Sequence, residues 1–280
     1  MNDNKERITY YRGQEKISLI KYLTKTIKEI IIYRFTYYNF ITSMLSARYR
    51  RSILGFFWTL INPLINLSIL AFIFSLVFKQ DIRTFGVYVF SALSPWTFLQ
   101  NCMVLSPNSF IQAESYLKKV YLPKILFPLT LVSVEIINFF FSLISIYIIF
   151  LVIGAKISWV MILIPFAMLI IFIFGLGIAL IFSVIQVYFR DMFQIVSVLV
   201  GALIYTIPVI YPLDFIPQLY RPLIFINPFF QYINLFRAII YDGRVPVWNE
   251  WLVPLLISII TLLIGCVCLK TKENDMVFRL

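Results

Sequence analysis

The chain has 280 residues, 61% of them hydrophobic and 13% charged, with 24 Lys and Arg against 13 Asp and Glu, no His and a net charge of +11; its mean hydropathy is +0.90. Charged residues alone make up about a quarter of an ordinary soluble domain, so this composition excludes one and points to a polytopic, all-α integral membrane protein. The positive surplus clusters beside hydrophobic runs rather than on an aromatic-studded soluble face, which favours topology signals and anionic lipid over nucleic acid.

Residues 1–51 are strewn with charge, and the first apolar run begins too late for the core of a signal peptide, so they read as a cytoplasmic leader. Within it Ile20, Leu23, Ile27, Ile30 and Ile31 recur at helical spacing while Lys21, Lys25 and Lys28 take the other face. That pattern predicts an amphipathic helix lying in the headgroup layer. The aromatic, nearly neutral stretch from Phe35 to Tyr49 either continues along the interface or packs on a partner protein.

Arg48, Arg50 and Arg51 then crowd together, and no further charge appears until Lys79. Such a gap crosses a bilayer core at about 1.5 Å of rise per residue, so the first span starts here. Because flanking Lys and Arg stay inside, the cluster also sets the orientation, with the N-terminus in the cytosol. The remaining charge-poor stretches predict six spans: Ser52 to Phe78, Thr84 to Ala113, Pro123 to Ala155, Ile157 to Phe189, Met192 to Leu213 and Trp251 to Leu269. This topology returns the C-terminus to the cytosol and leaves 18 of the 24 Lys and Arg inside.

Between Ile210 and Trp251, Pro212, Pro217, Pro222, Pro228 and Pro246 interrupt apolar stretches too short to span. Re-entrant helices over 212–245 are predicted, because broken backbone is tolerated at membrane depth where it is buried in protein or lines a cavity. The alternative is a lipid-facing interfacial cap with Trp248 and Trp251 as belt residues. On the cytoplasmic side, the connection between spans two and three holds a short helical pattern over 112–123. It reads either as a docking helix or as an amphipathic connector whose Lys118 and Lys119 touch lipid phosphates.

Chemistry is sparse. Cys102, Cys266 and Cys268 lie inside predicted spans without a CxxC, and His is absent, so no metal or disulfide framework is indicated. The acids are dispersed on loops, leaving no obvious carboxylate pair for hydrolysis. None of the nine glycines opens a G-x-x-x-x-G-K-[ST] loop, so the chain binds no nucleotide in that way and any ATP-driven work belongs to another subunit. Glu135 is the one acid deep in a span, where an uncompensated charge costs about 3 kcal/mol. It lines a channel, pairs with an arginine, or has a structural role at an interface.

The runs RYRRSILGFFWTLINPL, Pro95-Trp96, YLKKVYLPKILFPL, FRDMFQIV, PVIYPLDFIP and INPFFQYINLFRAII follow one another in the order and spacing of the ABC-2 type permeases that export bacterial polysaccharides. From about Phe35 to Leu280 the chain resembles the membrane subunit of an O-antigen, capsule or teichoic acid exporter. One departure is Ser91-Ala92-Leu93-Ser94 before Pro95, where related chains often carry a glycine.

The resemblance implies a homodimer with six transmembrane helices per chain, in the bacterial cytoplasmic (inner) membrane. It implies two copies of a separate ATPase, which binds the ATP and Mg, and no cofactor in this chain. A lipid-linked glycan on an undecaprenyl carrier would pass through a channel at the dimer interface. The stretch 112–123 becomes a coupling helix, with Glu114, Tyr116, Leu117, Lys118 and Lys119 at the ATPase and Arg190 with Asp191 at a second contact. Arg48, Arg50 and Arg51 fall where lipid-carrier phosphates are met, and Pro212, Pro217, Asn227, Pro228 and Arg237 in the outer gate.

Aromatic rings cover the weakly apolar faces of sugars without holding them, which suits a sliding chain. Trp58, Tyr88, Trp96 and Tyr147 are the aromatic candidates for channel lining. The alternatives are an ABC-2 exporter of a drug or lipid and, from another class, a polyprenyl-phosphate-handling membrane enzyme that would work without an ATPase.

Overall fold

The computed structural model describes residues 18–48, 52–79, 81–154, 158–276 and 278–280, and every regular element among them is helical. In chain order these are α1 (Leu19–Ile32), α2 (Arg34–Arg48), α3 (Trp58–Phe78), α4 (Ile82–Leu105), α5 (Ser109–Gln112), α6 (Glu114–Lys119), α7 (Leu126–Ile153), α8 (Ile164–Tyr188), α9 (Met192–Thr206), α10 (Arg221–Ile226), α11 (Pro228–Ile240) and α12 (Trp248–Met276). Local chemistry sets the boundaries. Ser18 and Asp81 accept from the backbone N–H three residues on and so cap α1 and α4. Gly154, at φ 69°, ends α7 in the left-handed conformation that only glycine adopts without strain.

Among the described residues, four helices are long and apolar enough to cross a membrane: Trp58–Val77, Leu126–Val152, Trp159–Tyr188 and Trp248–Glu273. A fifth arises if the bent pair Gln218–Ile226 and Pro228–Ile240 counts as one. The expected second span is α4, whose 24 residues rise about 36 Å. It is less apolar than the other four because protein, not lipid, surrounds it: Phe85, Val89, Phe90, Trp96, Leu99 and Cys102 are all buried. A helix so enclosed tolerates the Ser, Asn and Gln it carries. It stops at Leu105, and 106–113 turns away as a 3-10 turn and α5 instead of continuing the span. The expected fifth span also shortens, since α9 ends at Thr206 and its 15 residues rise only about 22 Å.

The tightest packing joins α8 to α12. A Cβ on Gly177 would meet the Leu262 nitrogen and the Thr261 carbonyl carbon at 2.6 Å, and one on Gly265 would meet the Gly177 carbonyl oxygen at 2.8 Å. Two glycines thus let the backbones cross in contact, as small residues do between membrane helices that gain nothing from excluding water. Above this crossing the Tyr232 hydroxyl of α11 donates to the Pro254 carbonyl at 3.0 Å and meets Ser258 Oγ at 2.8 Å.

Asn227 accepts from the Phe229 N–H and, with Pro228 at the first helical position, turns α10 into α11 through 96°. Phe229 packs edge-on to Trp96, whereas Tyr241 beyond the other end of α11 packs on Tyr88. Tyr88 and Trp96 lie eight residues apart on α4, about 12 Å of rise, so the bend sits deep in the bundle and α11 climbs from it toward the start of α4. On α1, Tyr22 and Thr26 face the body, with Tyr22 beside Glu273 of α12, while Ile20, Ile27 and Ile31 point away from the chain. Cys102 and Cys266 are buried and unbridged.

Candidate functional site

Three polar stripes converge where α3, α4 and α7 meet the end of α2. On α7, Glu135, Asn138 and Ser142 share a face; on α4, Ser94, Thr97 and Asn101; on α3, Trp58, Asn62 and Asn66. Together with Arg48 they wall a cleft of about 230 Å³. Glu135 is 1% exposed, and the Arg48 guanidinium donates to one of its carboxylate oxygens at 2.7 Å while Asn101 Nδ2 donates to the other at 2.8 Å. Glu135 lies nine residues into α7, about 14 Å of rise, where a carboxylate persists only with such partners. Arg50 and Arg51 lie outside the described residues.

The neutral groups are used unequally. Ser94 and Ser142 hydrogen-bond to each other across the cleft at 3.0 Å, and the Trp58 Nε1 donates to Ser52 at 3.1 Å, leaving the ring half-buried at the rim. Asn62 and Asn66 are exposed, one helical turn apart. Both amide atoms of Asn138 are buried without a hydrogen-bond partner. Among the described lining residues Arg48 and Glu135 are the single cation and the single acid, and they are paired with each other.

A second cluster joins α4 to α11. Arg237 is only 7% exposed, with its guanidinium carbon 3.9 Å from the Tyr88 ring centroid and one terminal nitrogen donating to the Pro208 carbonyl at 2.7 Å. The Tyr88 hydroxyl donates to the Tyr211 carbonyl at 3.1 Å. Arg237 therefore clamps the 207–211 segment to both helices. Pro212 and Pro217 open the two 3-10 turns beyond it, where Arg221 pairs with Asp214 at 3.2 Å. Trp96 belongs to the chain's own core, fully buried against Phe229, and Tyr147 is exposed on α7.

The residues expected at the ATPase lie in two places, on α6 and at the α8–α9 turn. The expected 112–123 helix is narrower, with α6 spanning Glu114–Lys119 and Val120 already extended. Lys118 bridges Glu114 at 2.6 Å. Leu117 is half-buried against the chain's own core, while Tyr116, Val120 and Tyr121 are exposed. Tyr116 also packs edge-on against Phe40 of α2, which in turn rests on Phe127 of α7. The Tyr121 hydroxyl donates to Glu29 of α1 at 3.3 Å, and burial and that carboxylate push it up to about 12. Arg190 and Asp191 are exposed at the α8–α9 turn, stapled by buried Gln186, which donates to the Arg190 carbonyl and accepts from the Phe193 N–H, each at 2.8 Å.

Residues 37–241 match the ABC-2 type transporter family, and that stretch holds the cleft, the Arg237 clamp and α6 together. The chain belongs to the ABC-2 type transporter family. It is 30% identical over 226 residues to the O-antigen export system permease protein RfbA of Myxococcus xanthus, a match covering 80% of this chain and 87% of that one. It is 32% identical over 201 residues to the O-antigen export system permease protein RfbA of Klebsiella pneumoniae, covering 71% and 77%. The ABC-2 domain begins within α2 and closes just after α11, so α1 and α12 frame it from either side.

Sequence reasoning named Arg48, Trp58 and Glu135 of the ABC-2 cleft and missed its amides. The signal was present for three of them: Asn62 and Asn66 follow Trp58, and Asn138 follows Glu135, on one helical face inside an apolar run.

Proposed function

We infer that the chain is the membrane-spanning permease subunit of an ABC exporter that carries a lipid-linked, O-antigen-like polysaccharide across the bacterial cytoplasmic membrane. The observation that carries this reading is the likeness, over most of the chain, to proteins named as O-antigen export permeases. The chain works as a homodimer with two copies of a separate ATPase, which binds ATP and Mg, and the glycan rides on an undecaprenyl carrier. Six crossings, α3, α4, α7, α8, α9 and α12, leave both termini in the cytosol, with α10 and α11 as a re-entrant pair on the outer side.

In this mechanism α6 and the Arg190–Asp191 turn meet the ATPase. Tyr116 on Phe40, and Phe40 on Phe127, pass movement of α6 to α2 and α7, the two helices whose Arg48 and Glu135 meet in the cleft. Arg48 stands at the cytoplasmic end of the cleft, where lipid-carrier phosphates would approach, and the outer path is controlled by the segment that Arg237 and Tyr88 clamp. A capsule or teichoic acid polymer is the same reading with another glycan.

The test is deletion. Cells without the chain retain undecaprenyl-linked polymer inside and lose it from the surface, and the ATPase co-purifies with the tagged protein from wild-type membranes. Normal surface polymer after deletion would overturn the proposal.

A further inference from the structure

We propose that the α3–α4–α7 cleft is a saccharide subsite taking one neutral, hydroxylated sugar ring of the transported glycan, with Asn138 as its central donor and acceptor. The inference rests on the export reading and adds to it a ligand class and three amide residues.

Charge argues first. Arg48 and Glu135 cancel within the cleft, so no surplus cation is left among the described lining residues to hold an anion. What remains is amide and hydroxyl. Asn138 presents one N–H₂ donor and one carbonyl acceptor with no protein partner, and leaving both unmade is costly in a buried site. An anion satisfies only the donor and a lipid tail neither, whereas adjacent sugar hydroxyls, each donor and acceptor, satisfy both.

The walls agree with that choice. Asn62 and Asn66, exposed from a span otherwise rich in Ile, Leu and Phe, line the same cleft one turn apart, where amides facing hydrocarbon alone would be unsatisfied. The half-buried Trp58 ring at the rim provides a flat apolar surface for the C–H face of a ring. The volume of about 230 Å³ lies below the roughly 300 Å³ lower end of drug-sized sites and is suited to a single ring.

The experiment places photoreactive benzoylphenylalanine at position 62 of the full chain, in cells that make the polymer together with the ATPase. Membranes are irradiated, and the chain is probed for attached glycan. A glycan-bearing adduct is expected. It should vanish in a strain blocked in transfer of the first sugar to the carrier, and fall about tenfold when Asn138→Leu is added, as loss of two hydrogen bonds implies. Asn138→Leu should leave abundance and melting temperature unchanged or higher, because no protein hydrogen bond is removed.

Three results would overturn the proposal: an adduct of bare lipid carrier in the blocked strain, a crosslinked dimer of the chain in place of the glycan adduct, or undiminished glycan adduct in the Asn138→Leu background. The two readings fail separately. If deletion traps polymer inside while position 62 captures no glycan, export stands and the subsite falls; surface polymer after deletion would remove the export reading itself.

Discussion

Arg48→Ala removes the cation from a carboxylate that is 1% exposed and about 14 Å along its helix, leaving Asn101 as the hydrogen-bond donor seen on Glu135. Breaking a fully buried pair costs about 3–5 kcal/mol, since the surviving charge stays desolvated. The Arg48 side chain is 35% exposed, so water offsets part of that loss and about 2–3 kcal/mol is expected. At roughly 2–3 °C per kcal/mol for a chain of this size, the purified protein in detergent should melt roughly 4–9 °C lower. The double variant Arg48→Ala, Glu135→Leu removes the stranded charge as well. It should regain at least about 1 kcal/mol relative to Arg48→Ala alone, a coupling typical of residues in direct contact. Melting curves of the wild type, both single variants and the double variant, taken at one protein and detergent concentration, complete the cycle. Strictly additive losses would refute the claim that Arg48 neutralises Glu135.

Other sites give independent checks. Gly177→Ala forces a methyl to 2.6 Å from the α12 backbone and should lower stability by about 1–3 kcal/mol, read as reduced membrane abundance and a lower melting temperature. Tyr232→Phe deletes the hydroxyl shared with Pro254 and Ser258 and should cost about 1 kcal/mol by the same melting assay, with unchanged ATPase recovery. Tyr116→Ala removes an exposed ring of α6 together with its contact to Phe40, so a pull-down should recover markedly less ATPase from otherwise stable, membrane-inserted protein; full recovery would remove α6 from the docking surface. A single cysteine at Gln218 should react with an impermeant thiol reagent added to intact spheroplasts and one at Lys272 should not, while labelling of Lys272 would refute the orientation.

How much of this was legible depends on which forces act locally. Charge gaps and the arginine cluster located α3, α7, α8 and α12, because insertion into hydrocarbon depends on summed hydrophobicity and flanking charge. The ends of the expected second and fifth spans were not found by charge alone. Charge gaps ran through both ends because Ser106-Pro107-Asn108-Ser109 and the pair Pro208 and Pro212 carry no charge, although these residues are turn signals; α8 packs against the first turn and Arg237 holds the second. The proline spacing announced a break between α9 and α12, but the 96° bend at Asn227 needed Phe229 seated on Trp96. Trp96 shows the same limit from the other side, since a tryptophan in a span looks alike whether it faces a channel, lipid or core. Glu135 could be singled out by its depth, yet Arg48, 87 residues away, became its partner only once α2 lay across α7.

The most direct measurement of the central claim is reconstitution. The chain and its ATPase are placed together in proteoliposomes loaded with the organism's own lipid-linked polymer, with the ATPase facing out. Added ATP and Mg should move polymer from the outer leaflet to the lumen, where an impermeant glycosidase no longer reaches it, and vesicles without this chain should show no protection. Protection that develops equally without ATP or without the chain, or ATP hydrolysis that leaves all polymer accessible, would contradict the assignment as an exporter of lipid-linked polysaccharide.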